Sequence, residues 1–367
     1  MPAVFEFDNV RIAALACAVP SFVQVIEPEK SANPEYVHSF QKQTGILQRH
    51  ISLTEQTSTD LAYGAAIKAM EKAGWDEKSI DAVVFLSQTP DFNPGTGNAF
   101  IMHYRLNLSK DAMAYDITLG CSSFPSGLAT CASLLQQKNI QRILMLSGDA
   151  QWQYYNDVSA LLADQSFIHG EGITALLLEK KSGYNMRIAL HTDGSGYRFL
   201  FNPIGGVRNA WRHKQYVSLS NGIETYCDGK NNYMDGLEIT MFSTTTVVDS
   251  IKNFIARYNT AIEDYDGLVL HQANLQILKT IARRLKVPMD KVPLSVDRFA
   301  NTSGASTSLT LVDAYANCAK EKLRLLTCAF GIGLSWGIAE ISLEPAVIVP
   351  MFNYDGRFED ALVNEVQ

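Results

Sequence analysis

Residues 112–137 read AMAYDITLGCSSFPSGLATCASLLQQ and carry the strongest indication of the architecture. A buried strand is predicted over Ala112–Ile117, followed by a tight turn at Gly120 and a helix that begins just after Cys121 and runs to about Gln137. A similar order of strand, polar turn and helix recurs along the chain. Strands that alternate with helices in this way predict an α/β fold with buried mixed sheets.

The rest of the first half fits the same order. Its other predicted elements are a helix over Thr59–Ala73 that stops at Gly74 and strands at Ala82–Leu86, Ile143–Ser147, Ile173–Leu178 and Met186–Leu190.

The second half repeats the pattern. Its predicted helices cover roughly Leu237–Tyr258, Leu275–Leu285 and Ser306–Cys318, and its predicted strands cover Gly267–Leu270, Pro293–Val296, Leu323–Phe330 and Leu334–Leu343. The doubled order predicts two similar halves packed face to face, residues 1–184 and 185–367, with a loop-rich insertion at about 198–232. An interface between two such halves is a natural place for a pocket.

Composition narrows the class of protein. Of 367 residues, 47% are hydrophobic and 19% are charged, which excludes a disordered chain. The net charge of −7 argues against a general nucleic-acid binder. No apolar run approaches the roughly 18 residues that cross a bilayer, and Glu6 and Asp8 precede the first apolar stretch, unlike a secretory signal. We therefore expect a cytoplasmic protein without a membrane span.

The cysteines do not form a metal motif. The six are Cys17, Cys121, Cys131, Cys227, Cys318 and Cys328. No two are spaced as a C-x-x-C pair and no histidine clusters with them, so neither a zinc site nor any other metal is expected. A disulfide framework is improbable in a large cytosolic chain. Most of these thiols are expected to behave as small buried hydrophobic groups.

Cys121 has a context that suggests more. A thiol at the N-terminus of a helix feels the partial positive charge of unpaired backbone N–H groups, which favours the thiolate and makes it a nucleophile. A buried structural cysteine at a strand–helix turn fits this segment equally well.

Three other motifs are ambiguous when each is taken alone. His271 ends a predicted strand, where a structural histidine is common, and Asn301 precedes a predicted helix, where asparagine is a good cap. The glycines of FGIGLSWG (330–337) suit a tight hairpin, or backbone N–H groups brought close to a reacting carbonyl. Because ligands gather at the carboxyl ends of strands in α/β sheets, Cys121, His271 and Asn301 are expected to converge on one region.

Taken together, the motifs resemble those of the 3-oxoacyl-acyl-carrier-protein synthase III family, the initiating ketosynthases of the thiolase fold. The resemblance extends from about Val10 to Ile341. It rests on QTGILQRH (43–50), the Cys121 segment, GEG (170–172), DGSG (193–196), MDGLEI (234–239), HQANLQIL (271–278), NTSGAS (301–306) and FGIGLSWG (330–337).

The resemblance implies a fold, partners and substrates. The fold would be layered α-β-α-β-α, with a mixed five-stranded sheet in each half. The protein would be a homodimer with no tightly bound cofactor, working on acyl-CoA or an acyl carrier protein as donor and on malonyl-acyl carrier protein, in fatty-acid initiation or a specialised pathway.

The resemblance also implies a role for each site residue. Cys121 would take the acyl group, and His271 and Asn301 would bind the thioester carbonyl of malonyl carrier protein during decarboxylation. The backbone N–H groups of Cys121 and Ile332 would form the oxyanion hole. The implied substrate-binding residues are Asn93, Phe242, Asn274 and Gly333, and the implied carrier-protein docking residues are Lys279, Arg283 and Arg284.

Three other functions are compatible with some of these residues. A cysteine protease also uses Cys, His and Asn, but its local signature around the cysteine is absent. A ketosynthase-like acyltransferase could pass the acyl group to a hydroxyl or amine and form an ester or amide in secondary metabolism or surface-sugar acylation. Asn301 favours condensation over this, because a simple transfer has no enolate to stabilise. A non-catalytic partner subunit is disfavoured, since all three chemical residues are present.

Several positions depart from the family pattern. Ser39 and Gln43 stand where the coenzyme A clamp usually has Trp and Arg, so adenine stacking is in doubt. Asn93 stands where a Phe is common in short-chain enzymes, which suggests a longer or more polar primer. Ile332 and Ala300 replace smaller residues of the family next to the predicted site.

Overall fold

We describe a computed structural model of the chain. It covers residues 2–53, 56–92, 95–150, 166–203, 207–208, 215–218, 224–227 and 233–359. In this part of the chain, no helix combines the length and the apolar character that a membrane span requires.

The first sheet is mixed and has six strands in the order β17-β2-β8-β7-β5-β6. Strand β5 runs parallel to both of its neighbours, whereas β8 runs antiparallel to β2 and β7. The bounds are β2 Val10–Val19, β5 Ala82–Leu86, β6 Met113–Ile117, β7 Arg142–Asp149, β8 Gly172–Lys180 and β17 Phe352–Asn353.

The second sheet is also mixed and has five strands in the order β1-β9-β16-β15-β14. Strands β14 and β15 are parallel, and the other neighbours are antiparallel. The bounds are β1 Ala3–Phe7, β9 Met186–Thr192, β14 Gly267–Leu270, β15 Leu323–Gly331 and β16 Ser335–Leu343. Short two-stranded ribbons pair β3 Val23–Val25 with β4 Gln48–His50, β10 Leu200–Phe201 with β13 Tyr233–Met234, and β11 Gln215–Ser218 with β12 Glu224–Cys227.

The helices fill three layers around these sheets. Their bounds are α1 Pro34–Thr44, α2 Ser58–Ala73, α3 Asn98–Arg105, α4 Ser123–Leu134, α5 Gly236–Met241, α6 Val247–Arg257, α7 Leu275–Leu285, α8 Val296–Phe299 and α9 Ser306–Tyr315. A π-helical segment, Phe242–Thr246, joins α5 to α6. Helix α2 packs on the outer face of the first sheet, and α6 packs on the outer face of the second.

Two helices occupy the central layer and position the site. Helix α4 contacts β5 and β7 of the first sheet and β9, β15 and β16 of the second, and α9 contacts β2, β8, β14 and β15. Their N-terminal ends meet, since Ser123 Oγ donates a hydrogen bond of 3.1 Å to the carbonyl of Gly304. Gly127 lets α4 approach β7 closely, because a Cβ at residue 127 would lie 2.8 Å from the Sδ of Met145 in that strand. Residues just before the two helices are therefore neighbours.

The layered α-β-α-β-α architecture confirms the predicted fold class, but the first sheet has six strands and not the predicted five, because β17 adds to its edge beside β2. The two sheets exchange terminal strands: β1 adds to the second sheet, and β17, near the C-terminal end, adds to the first. Each sheet therefore contains a strand from the other half of the chain, and the boundary between residues 184 and 185 stays a prediction.

Most predicted elements match the structure, but one strand is wrong. The predicted strands at 82–86 and 267–270 and the helix at 275–285 have the observed bounds. No strand forms over Pro293–Val296, which lies within the described residues. There the backbone N–H groups of Ser295 and Val296 donate to Gln272 Oε1 at 2.9 and 3.2 Å, and a short helix begins at Val296. The predicted insertion at 198–232 lies largely outside the described residues.

Candidate active site

Cys121 lies in the turn between β6 and α4. The turn is closed by a 2.8 Å bond from the N–H of Ser123 to the carbonyl of Gly120. Gly331, at the end of β15, packs directly on the cysteine. A Cβ at residue 331 would lie 2.5 Å from Cys121 Cβ and 3.3 Å from its Sγ. The thiol is therefore held between the two halves of the molecule.

Burial acts on the Cys121 thiol in the direction opposite to that of a helix N-terminus and favours the protonated form. Burial and the nearby negative charge of Asp149 raise the pKa of Cys121 to about 12. These two effects exceed the lowering of the pKa by Ser303 and by the backbone N–H of Cys121. The helix begins only at Ser123, so Cys121 precedes both the first helical residue and its cap, Ser122. The loss of water outweighs the partial charge of the helix end.

Asn301 is fixed by backbone pairing with the segment 168–170. Its N–H donates to Ile168 at 3.0 Å, and its carbonyl accepts from Gly170 at 3.1 Å. Its side-chain Oδ1 accepts a 2.9 Å bond from the N–H of Ser303. The preceding Ala300 has φ of 55°, a left-handed value that favours the glycine usual in the family.

Ser303 lies between Asn301 and the segment that carries Cys121. Its backbone N–H donates to Asn301 Oδ1 at 2.9 Å, and its Oγ packs against Gly120, where an added Cβ would lie 2.9 Å from it. Ser303 therefore neighbours both Asn301 and the residue before Cys121.

His271 lies at the end of β14 and is almost fully buried. Its ring meets Phe330 edge-on, with centroids 5.5 Å apart, and Phe330 directly precedes the Gly331 that contacts Cys121. Burial lowers the pKa of His271 to about 3, so the imidazole is neutral at physiological pH. Its Nδ1 is buried and has no hydrogen-bond partner among the described residues.

Gln272 ties the His271 strand to the Asn301 segment. Its backbone N–H donates to Ser306 Oγ at 2.7 Å, at the start of α9. Its side chain donates to the carbonyl of Leu270 at 2.9 Å. The contacts of Ser303, Gly331 and Gln272 link Cys121, His271 and Asn301 into one cluster at the meeting point of the two halves.

The glycine-rich turn after β15 is braced by hydroxyl groups. Ser335 Oγ donates to the carbonyl of Ile332 at 2.6 Å and lies 2.6 Å from Ser122 Oγ. Gly333 has φ of 141°, a conformation that only glycine adopts readily. The turn that holds the predicted oxyanion donor Ile332 is therefore tied to the residue after Cys121.

The predicted substrate-binding residues have different surroundings. Phe242 is buried and packs edge-on against Trp336 at 5.3 Å, and Asn274 Oδ1 caps α7 through the N–H of Ile277 at 2.8 Å. Asn93 lies outside the described residues. Gln43 Nε2 donates to Ser39 Oγ at 3.2 Å, so the two residues at the expected coenzyme A clamp bind each other. The substrate-binding roles stay predictions.

The predicted docking residues lie on α7 and are not equivalent. Lys279 and Arg283 are exposed, and neither side chain makes a hydrogen bond or an ion pair within the described part of the chain. Arg284 is exposed too, but its Nη1 donates to the carbonyl of Thr244 and to Thr245 Oγ1, the latter at 2.9 Å. Arg284 therefore anchors α7 to the π-helical segment, and Lys279 and Arg283 are the freer cations.

Three residues of this region were not predicted from the sequence to lie near the site. Ser303 was interpreted as part of a helix cap, although the Asn-Thr-Ser-Gly order also suits a tight Asn turn. Asp149 is the last residue of the buried strand β7, and a carboxylate directly after the apolar run at 143–147 could have indicated a buried charge at the strand end. Arg49 belongs to the QTGILQRH motif, but nothing in the residue pattern indicated that its side chain is fully buried.

Comparison with known proteins gives a consistent result. A family model described as 3-oxoacyl-[acyl-carrier-protein (ACP)] synthase III matches residues 115–194, and the model of the C terminal of that family matches residues 255–343. The beta-ketoacyl-[acyl-carrier-protein] synthase III of Prochlorococcus marinus (strain MIT 9215) is 31% identical over 322 residues, covering 86% of this chain and 90% of that protein. The enzyme of the same name from Caldanaerobacter subterraneus subsp. tengcongensis is 30% identical over 302 residues, covering 81% and 87%. A crystal structure of 3-oxoacyl-(acyl-carrier protein) synthase from Burkholderia xenovorans LB400 superposes with a TM-score of 0.85 at 27% identity, covering 96% of this chain and 99% of that one.

Proposed function

The chain belongs to the 3-oxoacyl-[acyl-carrier-protein] synthase III family, and we propose that its Cys121, His271 and Asn301 carry out the condensation typical of that family. Cys121 is acylated by an acyl thioester, and the acyl group is then joined to the carbon of malonyl-acyl carrier protein. The observation that supports the assignment of residues is that Ser303 donates its N–H to Asn301 Oδ1 and packs its Oγ against Gly120, the residue before Cys121.

In the first step the Cys121 sulfur attacks the thioester carbonyl of the donor. A carbon–sulfur bond forms at Cys121, the bond to the donor sulfur breaks, and the thiol proton leaves with the donor thiol. Since the pKa of Cys121 is raised to about 12, the sulfur is protonated at rest and must lose its proton as the attack proceeds.

In the second step His271 and Asn301 stabilise the decarboxylation of the malonyl group. A neutral imidazole and a carboxamide donate to the thioester carbonyl, where enolate charge develops as CO₂ leaves. One positioned donor of this kind is typically worth about 3–4 kcal/mol. The low pKa of His271, about 3, suits this role, because a buried imidazole stays uncharged.

In the third step the enolate carbon attacks the acyl group on Cys121. The tetrahedral oxyanion would be held by the backbone N–H groups of Cys121 and Ile332, whose turns are joined through Ser122 and Ser335. Collapse of this intermediate releases the Cys121 sulfur and gives 3-oxoacyl carrier protein. No tightly bound cofactor takes part in this scheme.

The partners are also part of the proposal. The exposed basic residues of α7 are assigned to the acidic carrier protein, and the reaction is assigned to the cytoplasm. Strand β6 forms the edge of the first sheet, and Phe100, Tyr104 and Met113 are exposed beside it, at 55, 76 and 42%. An apolar sheet edge of this kind suits pairing with a second copy, and we assign it to a homodimer.

Mass spectrometry of the intact protein tests the assignment. Wild-type protein incubated with acyl-CoAs and with acyl carrier proteins should gain one acyl group, and the variant Cys121→Ser should gain none. Malonyl carrier protein should then remove the adduct with release of CO₂. If hydroxyl or amine acceptors remove it and malonyl carrier protein does not, the reaction is ester or amide formation and the proposal is wrong.

A further inference from the structure

The C-terminal tail, residues 352–358, folds back over the first half of the chain. Its strand β17 pairs with the end of β2, and the N–H of Tyr354 donates to the carbonyl of Val19 at 2.9 Å. The ring of Tyr354 packs on α2, where a Cβ added to Gly64 would lie 2.7 Å from it. Gln56 Nε2 donates to the carbonyls of residues 354 and 356 at 3.0 and 2.9 Å. The tail is therefore held against α2 and the residues that precede it.

The last contacts of the tail are with a buried ion pair between α2 and α3. Arg105 Nη1 donates to Asp60 Oδ1 at 2.9 Å, and the two side chains are only 5 and 1% exposed. The N–H of Phe358 donates to the same carboxylate oxygen at 3.1 Å. The ring of Phe358 lies over the guanidinium, with 4.1 Å between Arg105 Cζ and the ring centroid. An aromatic face at this distance attracts the cation and excludes water from the ion pair.

Arg105 connects the tail to Asp91. The same Nη1 donates to Thr59 Oγ1 at 2.7 Å, and Thr59 Oγ1 in turn donates to Asp91 Oδ2. Thr57 Oγ1 donates to that carboxylate oxygen as well, at 2.7 Å. The N–H of Asp91 donates to Asn98 Oδ1 at 2.9 Å. The start of α2 and the start of α3 therefore fix Asp91 from two sides.

Asp91 ends the segment 87–91, which Asp149 anchors at its other end. Asp149 Oδ1 accepts from Ser87 Oγ at 2.8 Å and from the N–H of Gln88 at 2.7 Å. The side chain of Gln88 packs against residue 120, where an added Cβ would lie 2.6 Å from Gln88 Cδ. The segment is therefore anchored at both ends and lies against the turn between β6 and α4.

We propose that Phe358 and Arg105 are positioning residues of the acylation step. Through the Thr59 hydroxyl they hold the segment 87–91 against the turn between β6 and α4, and the turn holds the Cys121 sulfur in reach of the thioester carbonyl. Small displacements of a reacting group lower a rate strongly, so a contact distant from the sulfur affects the reaction. This inference rests on the proposed function.

Two variants break this connection at different points. Phe358→Ala removes the ring from the guanidinium. Thr59→Val keeps the size of the side chain but removes the hydroxyl that joins Arg105 to Asp91. Phe358→Tyr keeps an aromatic ring over the guanidinium and should behave as the wild type does.

Asp355→Ala is the matched control. Asp355 belongs to the same tail, but its hydrogen bonds in the described part of the chain are to the N–H of Ser21, at 3.2 Å, and to the hydroxyl of that residue. Its loss therefore leaves the contacts of Arg105 in place.

The first readout is hydrogen exchange, measured by mass spectrometry on peptides that cover residues 87–91. In the wild type the N–H groups of Gln88 and Asp91 bond buried side chains. Exchange of this segment should be about 10-fold faster in Phe358→Ala and in Thr59→Val, and unchanged in the control. Exchange at the wild-type rate in both variants, or an equal acceleration over all peptides, would overturn the inference.

The second readout is the rate of Cys121 acylation, followed by intact mass, with the acyl-CoA or acyl carrier protein that modifies the wild-type protein. The maximal rate should fall about 5- to 10-fold in Phe358→Ala and in Thr59→Val, because the sulfur is less well positioned. The donor concentration that gives half of this rate should change by less than about 2-fold, since donor binding is not affected. Faster exchange of the segment with an unchanged maximal rate would also overturn the inference.

The wild-type protein decides separately on the proposed function. If no acyl thioester modifies it, the proposed function fails, and the positioning role fails with it. If the wild type is acylated and both Phe358→Ala and Thr59→Val reach the same maximal rate, this inference alone fails and the condensation stands.

Discussion

Gly331 and Cys121 are in direct contact, although they belong to opposite halves of the chain. A Cβ at residue 331 would approach Cys121 Cβ to 2.5 Å, closer than real side chains pack. Cys121 precedes the central helix of the first half, and Gly331 ends a strand of the second sheet. The position of the Cys121 thiol therefore depends on how the two sheets pack against α4.

Gly331→Ala should displace Cys121 and slow acylation by at least about 100-fold, because a shift of about 1 Å in a reacting group has an effect of that size. Acylation by acyl-CoA, followed by intact mass, measures it. Gly194→Ala is the control, since a Cβ there would meet no atom within 4 Å. Normal acylation of Gly331→Ala would show that the contact does not constrain the thiol.

Asp149→Asn should make Cys121 more reactive. The carboxylate raises the pKa of the thiol, so its removal should lower that pKa and increase the thiolate fraction at pH 8, by about tenfold for each pKa unit. Asn keeps an acceptor for the 2.7 Å bond from the N–H of Gln88. The rate of Cys121 alkylation by iodoacetamide at pH 8 measures the effect, and Asp81→Asn, at the far end of β5, is the control. A rate equal to or below that of the wild type would contradict the charge effect.

The fold could be predicted largely from local patterns. Buried runs such as Ala82–Leu86, and a helix with a cap at Asn274, carry their signals within a few residues. The false strand at Pro293–Val296 arose because its backbone N–H groups bond the side chain of Gln272, more than twenty residues earlier in the chain. Sequence patterns contain no information about such distant partners.

The site shows the same division. Cys121, His271 and Asn301 were predicted as site residues from their motifs, whereas the effect of burial on the pKa of Cys121 could not be predicted from them. Its pKa depends on burial between the two sheets and on Asp149, 28 residues away in sequence and brought close only by folding. A helix N-terminus is a local signal, and here the environment created by the packing of the two halves outweighs it.

Charge reversal of the exposed cations on α7 should weaken carrier-protein binding. The double variant Lys279→Glu with Arg283→Glu should raise the KM for malonyl carrier protein roughly 5- to 30-fold, since each exposed pair is worth up to about 1 kcal/mol. Acylation by acyl-CoA should be unchanged. Lys252→Glu, an exposed charge reversal on α6, is the control.

Arg284 should be kept out of this test, because it also bonds the carbonyl of Thr244, so that its loss would disturb the fold. Equal losses in acylation and condensation in the double variant would argue against docking on this helix.

Arg49→Met should impair decarboxylation through Asn301. The buried guanidinium donates to the carbonyl of His169 at 2.8 Å and to Ser166 Oγ at 2.8 Å, in the segment whose residues 168 and 170 pair with Asn301. Each buried acceptor left unpaired should cost about 1–3 kcal/mol of unfolding free energy. Release of CO₂ from malonyl carrier protein should fall more than acylation of Cys121.

Arg142→Met is the control for this prediction, because Arg142 stacks on Trp75 at 4.8 Å and lies at the start of β7. A variant in which both reactions fall equally would indicate general loss of structure and not a specific effect on Asn301.

His271 should make the protein less stable as the pH falls below neutrality. Burial lowers its pKa to about 3, from about 6.5 in an unfolded chain. Above pH 6.5 neither state binds the proton. Between 6.5 and 3 only the unfolded state does, so the unfolding free energy should fall by up to about 1.4 kcal/mol per pH unit for this group. Urea unfolding at pH values from 5 to 7.5 measures the slope. The variant His271→Asn should reduce this slope. The control is replacement of the exposed His38 by Asn, which should leave the slope unchanged. An unaltered slope in His271→Asn would show that burial does not keep the imidazole neutral.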